Sequence, residues 1–131
     1  MTTIPDNFKD LLTSNKVFAH LGTVMADGTP QVTPVWFDYD GGVLRVNSAK
    51  GRVKDRNMRA NPNVALSLLD PDNAYRYIQL RGKVTGITEQ GADAHIDALA
   101  QKYLGKDYPF RQEGEVRVTY VIAIDRVNTM G

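Results

Sequence analysis

The chain has 131 residues, 42% of them hydrophobic and 24% charged, with a net charge of +1 and no cysteine. That composition predicts one soluble globular domain over residues 1–131 and excludes disulfides, thiolate nucleophiles and cysteine-ligated metals. The near-neutral balance argues against nucleic-acid partners, and no apolar run nears the roughly 20 residues of a membrane span. No basic and apolar leader follows Met1, so the cytoplasm is the expected compartment.

Phe8, Leu11 and Leu12 fall at helical spacing behind Pro5 and Asp6, which predicts a short N-terminal helix. Residues 17–24 predict a strand closed by the Asp27-Gly28 turn. Residues 31–40, rich in β-branched and aromatic side chains, predict a second strand, and Asp40-Gly41-Gly42 reverses it into a third at 43–48. Together they make an antiparallel meander with two tight hairpins. Pro34 cannot donate to a ladder, so it marks an edge, a bulge or a place where a ligand meets backbone. Trp36 beside it reads as a core anchor.

The third strand ends at Asn47 and Ser48 and turns through Gly51 into a short basic helix reaching Asn61-Pro62. Lys50, Arg52, Lys54, Arg56 and Arg59 stand there against a single anion, Asp55. A solvated helix face usually mixes signs, and Val53 and Met58 are a thin apolar anchor for a core helix. Free backbone N–H groups and the macrodipole at the start of such a helix suit a bound phosphate. The expectation is a phosphorylated small molecule of the flavin type. A Walker A loop is excluded, because Arg52 follows Gly51 where Lys and Ser or Thr are needed.

Residues 64–69 predict a fourth strand, and 75–88 a long fifth one that Gly82 and Gly86 let bend. Ala92, Ile96, Leu99 and Tyr103 set a helix over 91–104, and residues 115–124 a last strand with a short tail. Six strands in this order do not form βαβ units. A mainly β fold, a small antiparallel barrel with accessory helices, is the expected class. His20 reads as a packed or interface histidine, and His95 as a solvated one on the polar side of its helix. Tyr75, Tyr77, Tyr103, Tyr108 and Tyr120 read as mainly structural, with proton donation or ring stacking as the alternative. No triad and no metal site is legible, so no catalytic residue is assigned. That pattern fits a protein whose cofactor carries the chemistry.

Over residues 8–127 the chain resembles the pyridoxamine 5′-phosphate oxidase-like split β-barrel superfamily, and most of all its small F420-dependent reductases. The resemblance is carried by Leu21-Gly22-Thr23-Val24, by residues 27–37 (DGTPQVTPVWF), by residues 50–58 (KGRVKDRNM) with Asn61-Pro62, and by Leu80-Arg81-Gly82-Lys83-Val84. It implies a six-stranded FMN-binding split barrel and a homodimer with cofactor at the subunit interface. It places the cofactor phosphate at Asn47, Ser48, Arg52, Lys54 and Arg56, and the ring along Thr33, Pro34 and Val35. Tyr75 and Tyr77 of the other subunit would close the site. The chain ends at Asp125–Gly131 without the Arg- and Trp-containing segment that binds pyridoxal phosphate, so vitamin B6 oxidation is not expected. Coenzyme F420 carries a phosphodiester and an acidic tail, which suits alternating cations better than FMN does. The expected activity is hydride transfer from reduced F420 to a small organic acceptor with an activated double bond. An FMN-dependent oxidase or reductase and a non-catalytic flavin or deazaflavin carrier are the alternatives.

Overall fold

The computed structural model describes residues 3–131. A 3-10 turn (Asp6–Phe8) and α1 (Asp10–Thr13) precede β1 (Ala19–Val24), β2 (Pro30–Val35), β3 (Phe37–Asp40) and β4 (Val43–Ala49). Then follow α2 (Val53–Ala60), β5 (Asn63–Asp70), β6 (Asn73–Thr88), α3 (Ala92–Leu104) and β7 (Arg117–Met130). All seven strands join one sheet in the order β2-β1-β5-β6-β7-β4-β3, and every neighbouring pair is antiparallel.

That order forces curvature. β2 and β3 are the two edges of the sheet, yet Trp36 alone separates them in sequence. In a flat sheet seven strands wide the edges would lie roughly 29 Å apart. Two virtual Cα–Cα bonds reach at most about 7.6 Å. The sheet therefore curls until its edges meet at Trp36, with Val35 paired to Ala19 on β1 and Phe37 paired to Val46 on β4. The predicted strand over 31–40 is thus two strands, which makes seven rather than six. Its residues are extended as expected, but the ladder partner changes at Trp36, and local pattern does not record a partner.

The barrel is filled by Leu21, Phe37, Leu44, Leu66, Leu68, Ile78, Leu80, Tyr120 and Ile122, all buried, and Phe8, Leu11 and Leu12 plug it from the N-terminal turns. Gly82 and Gly86 sit where the β6–β7 register slips, at Arg81/Gly82 and Val84/Gly86, so the expected bends are bulges. A Cβ on Gly82 would lie 2.0 Å from the Ala123 carbonyl oxygen, so only glycine fits there. The predicted tail beyond residue 124 is instead ladder, with Met130 opposite Tyr77. The sixteen-residue β6 needs a partner along its length, and β7 supplies it.

Asp55 fixes α2 to the barrel. Its buried carboxylate accepts from the Gly51 N–H at 2.9 Å, from Arg59 Nε at 2.9 Å and from the Tyr120 hydroxyl. Asn57 Nδ2 adds a hydrogen bond to Thr23 Oγ1 at 3.0 Å, and Met58 is buried in the core. A helix with few apolar residues is held here by satisfied buried polar groups.

Candidate functional site

The structure distributes the five cations of the basic segment unequally. Arg59 belongs to Asp55, and Lys50 makes an exposed pair with Glu89 at 3.1 Å. Arg56 is exposed and is absent from the lining of the cavity that Arg52 and Lys54 face. Arg52 and Lys54, from the turn and first residues of α2, face a cavity of about 540 Å3. Arg117 of β7 joins them there. It is buried, donates from Nε to Asn47 Oδ1 at 2.9 Å, pairs with Glu115 at 2.9 Å and lies over the Tyr108 ring at 5.1 Å.

Three cations therefore converge, and Glu115 is the carboxylate of two of them, since Arg52 also reaches that group at 3.7 Å. Lys54 makes no ion pair or hydrogen bond among the described residues. Burial, followed by repulsion from Arg52 and Arg117, pushes its ammonium below the usual lysine range. No side chain caps the first turn of α2. Nearby, the Ser48 and Thr33 hydroxyl oxygens are buried without a hydrogen-bond partner. Desolvated positive charge and an open helix start are what an anionic ligand satisfies.

The opposite wall is apolar and aromatic. Pro34 and Val35, at the C-terminal end of edge strand β2, and Trp36 just beyond them line the cavity with Phe18, Ile96, Tyr108 and Phe110. Pro34 is thus at an edge and against the cavity at once. Trp36 is not the core anchor it was expected to be. It is half-buried and stacks on Tyr103 at 5.4 Å, with Phe18 stacked on that ring's other face at 5.2 Å. Tyr103 donates its hydroxyl to the Val17 carbonyl at 2.7 Å, and burial pushes its phenol up to about 12.

Of the residues assigned from sequence, Pro34, Val35, Asn47, Arg52 and Lys54 meet at this cavity. Thr33 and Ser48 are their chain neighbours, while Tyr75 and Tyr77 line no part of the cavity of their own chain. Phe18, Ile96, Tyr108, Phe110 and Arg117 were missed. Arg117 left a signal, a cation leading the apolar run of residues 118–124, and for Tyr108 the sequence offers ring stacking or proton donation only as the alternative to a structural role. His20 is exposed and reaches only the Ser67 carbonyl, at 3.4 Å. His95 is not solvated: it is buried between Asp38, at 3.1 Å from Nε2, and Thr119, at 3.0 Å from Nδ1. Helix periodicity put it on the polar side, and the carboxylate it meets lies 57 residues away. Tyr120 serves Asp55 inside the barrel. Among the described residues, no three His, Asp or Glu side chains come together to hold a metal, and no helix is long and apolar enough to cross a membrane.

The fold has relatives. A family described as pyridoxamine 5′-phosphate oxidase matches residues 4–131. The chain is 40% identical over 79 residues to the pyridoxine/pyridoxamine 5′-phosphate oxidase of Bradyrhizobium sp. (strain ORS 278), a match covering 58% of this chain and 35% of that protein. The chain thus spans only about a third of that relative's length. A solved F420 reductase superposes with a TM-score of 0.87 at 38% identity, covering 95% of this chain and 98% of that one. General stress protein 26 of Bacillus anthracis str. Sterne shares the fold at a TM-score of 0.63 and 22% identity, with 86% of this chain and 83% of that one covered. The split barrel, its curled antiparallel sheet and the match along almost the whole chain agree. The chain belongs to the pyridoxamine 5′-phosphate oxidase family.

Proposed function

We propose that the chain is an oxidoreductase that uses coenzyme F420 and passes a hydride to a small organic acceptor with an activated double bond. The observation that carries this reading is the convergence of Arg52, Lys54 and Arg117 on one side of a cavity whose other side is Pro34, Val35 and Trp36. The likeness to the F420 reductase supports the choice of cofactor. Phosphate would be held by Arg52, Lys54 and the first turn of α2, with Asn47 and Ser48 beside them. The ring would lie along Thr33, Pro34 and Val35, where an edge strand with a proline leaves backbone groups free. When bound and reduced, the deazaflavin supplies the hydride.

The residues of this chain orient, exclude water and hold charge. Phe18, Trp36 and Phe110 give an apolar wall that narrows where an acceptor can sit, and such alignment can contribute up to roughly 7–11 kcal/mol. Tyr103 keeps its proton, being committed to the Val17 carbonyl. Tyr108, on the cavity wall, or solvent is left to protonate the acceptor. We place the cofactor at the interface of a homodimer, where Tyr75, 79% exposed, and Tyr77 would close the partner's site.

Titrating the purified protein with F420 and with FMN, followed by absorbance and fluorescence, tests the reading. Tight F420 binding and oxidation of the reduced form by an activated alkene are expected. FMN binding in place of F420 would move the protein to the flavin-dependent oxidases or reductases. F420 binding without turnover for any acceptor would make it a carrier.

A further inference from the structure

Behind the cation cluster runs a buried polar chain in which each donor and acceptor is determined by its neighbour. Arg45 donates to Asp38 from Nε at 2.8 Å and from Nη2 at 2.9 Å. Burial raises the Asp38 carboxyl, but hydrogen bonds from His95 and Arg45 outweigh it and hold the group below its usual range. As a carboxylate it only accepts, so His95 Nε2, 3.1 Å away, carries a proton.

The far end of the chain is equally constrained. Arg117 Nε only donates, so the Asn47 atom at 2.9 Å from it is the oxygen. The Ala92 carbonyl only accepts, so the Asn47 atom at 2.9 Å from that group is the amide nitrogen. One amide hydrogen serves Ala92, and the other faces both His95 Nδ1, 3.2 Å away, and Thr119 Oγ1, 3.4 Å away, the imidazole nitrogen being the nearer. To accept that nearer contact, Nδ1 holds a lone pair. The Asn47 orientation follows from donor and acceptor arithmetic, and the neutral Nε2–H tautomer is the form in which His95 donates to Asp38 and accepts from Asn47.

We propose that His95 is a positioning residue for the anion site: locked by Asp38 as the Nε2–H tautomer, it holds Asn47, and Asn47 sets Arg117 against the cavity. This rests on the reading of that cavity as an anion site. A second proton on Nδ1 would face the Asn47 amide hydrogen, and Thr119 Oγ1, at 3.0 Å, is the acceptor left for it. Asn47 then loses its support, and Arg117 loses the oxygen at its Nε. The charged groups around His95 are Asp38 on β3, Arg45 on β4, Arg117 on β7 and Lys102 on its own helix, whose charge interacts with Asp38.

Two substitutions separate positioning from mere packing. His95→Asn keeps an acceptor where Nδ1 lies but gives up the contact with Asp38. His95→Gln keeps a donor for Asp38 but takes the Nδ1 acceptor from Asn47, leaving its second amide hydrogen only the longer contact to Thr119 Oγ1 at 3.4 Å. A packing role would favour the larger glutamine, and a positioning role favours asparagine. NMR of the cofactor-free chain reads this directly, because the protein has two histidines and His20→Gln leaves one. The expected result is an Nε2–H ring at neutral pH and an Arg117 Nε–H resonance retained in H95N and displaced in H95Q. In the parent that resonance should move with the same midpoint as the ring. FMN or F420, whichever binds, should bind about tenfold more weakly to H95Q, the loss of one hydrogen bond's worth of alignment.

An Nδ1–H ring at neutral pH overturns the proposal, as does an Arg117 resonance unmoved both by H95Q and by protonation of the ring. If neither variant folds, the titration of the parent decides alone. Failure of the parent to bind either cofactor sinks the reading of the cavity instead, and leaves the relay to be judged by NMR.

Discussion

Lys54 sits half-buried beside Arg52 and Arg117 without a carboxylate of its own, and the charge it keeps is costly to the free protein. Its depressed ammonium makes the sign explicit. The unfolded chain holds that proton more tightly than the folded one, so stability rises as pH climbs from the folded value toward about 10.4. Lys54→Ala should therefore leave urea stability within about 0.5 kcal/mol of the parent, or raise it. The same change should weaken F420 or FMN binding by about ten- to a hundredfold, the loss of a charge-assisted hydrogen bond. Fluorescence titration beside urea unfolding separates the two effects, and parental affinity in the variant would move the phosphate elsewhere. Arg117→Ala should differ in kind. It strands Asn47 Oδ1 and half of Glu115's pairing in a buried place, so a stability loss of about 1–3 kcal/mol should accompany the loss of affinity.

At the scale of elements, α2 presents its cations because Asp55 is committed inward. Burial raises that carboxyl, yet hydrogen bonds from Gly51, Tyr120 and Arg59 bring it below the usual range. Its contribution to stability is then complete above the unfolded value of about 3.9 and is lost as pH falls through the lower folded value. Asp55→Asn should lower the urea midpoint at neutral pH and flatten its decline in acid, and an unchanged acid limb would assign that decline to other carboxylates. Gly82→Ala tests the bulge: with a carbonyl oxygen 2.0 Å from the new Cβ, it should destabilise by at least about 1–3 kcal/mol in the same assay. These elements were legible because their causes are local. Asp27-Gly28 and Asp40-Gly41-Gly42 make hairpins from their own backbone preferences, and Gly82 announces a close approach. Lys50 to Arg59 crowd charge within ten residues. What stayed hidden depends on closure of the sheet. Nothing in residues 31–40 records that Val35 and Phe37 bond to different strands, and nothing in α3 records that Asp38 waits opposite His95. The loop carrying Tyr108 and Phe110 has no periodicity, so its place over the cavity follows only from the ends it joins.

At the scale of the whole molecule, the face around the cavity carries exposed apolar side chains. Val32, on edge strand β2, is 66% exposed, and Phe110, on the cavity wall, is 62% exposed. Phe18, which also lines the cavity, is exposed beside the Tyr103 ring. Scattered apolar residues on a surface need no explanation, but these flank a site whose expected ring-binding strand is a sheet edge. Our last prediction is that a second copy of the chain covers this edge and that cofactor binding depends on it. Sedimentation at micromolar concentration should give a dimer, and a stable species at the 14.6 kDa of one chain would sink the idea. Val32→Lys should shift the equilibrium toward monomer, because a charge desolvated without a partner in an apolar contact is strongly unfavourable. The variant changes no residue of the cavity lining. Its cofactor affinity should therefore fall at low protein concentration and recover as concentration restores the dimer. An affinity independent of concentration, in a variant shown to be monomeric and folded, would place the complete site within one chain and leave Tyr75 and Tyr77 as ordinary surface residues.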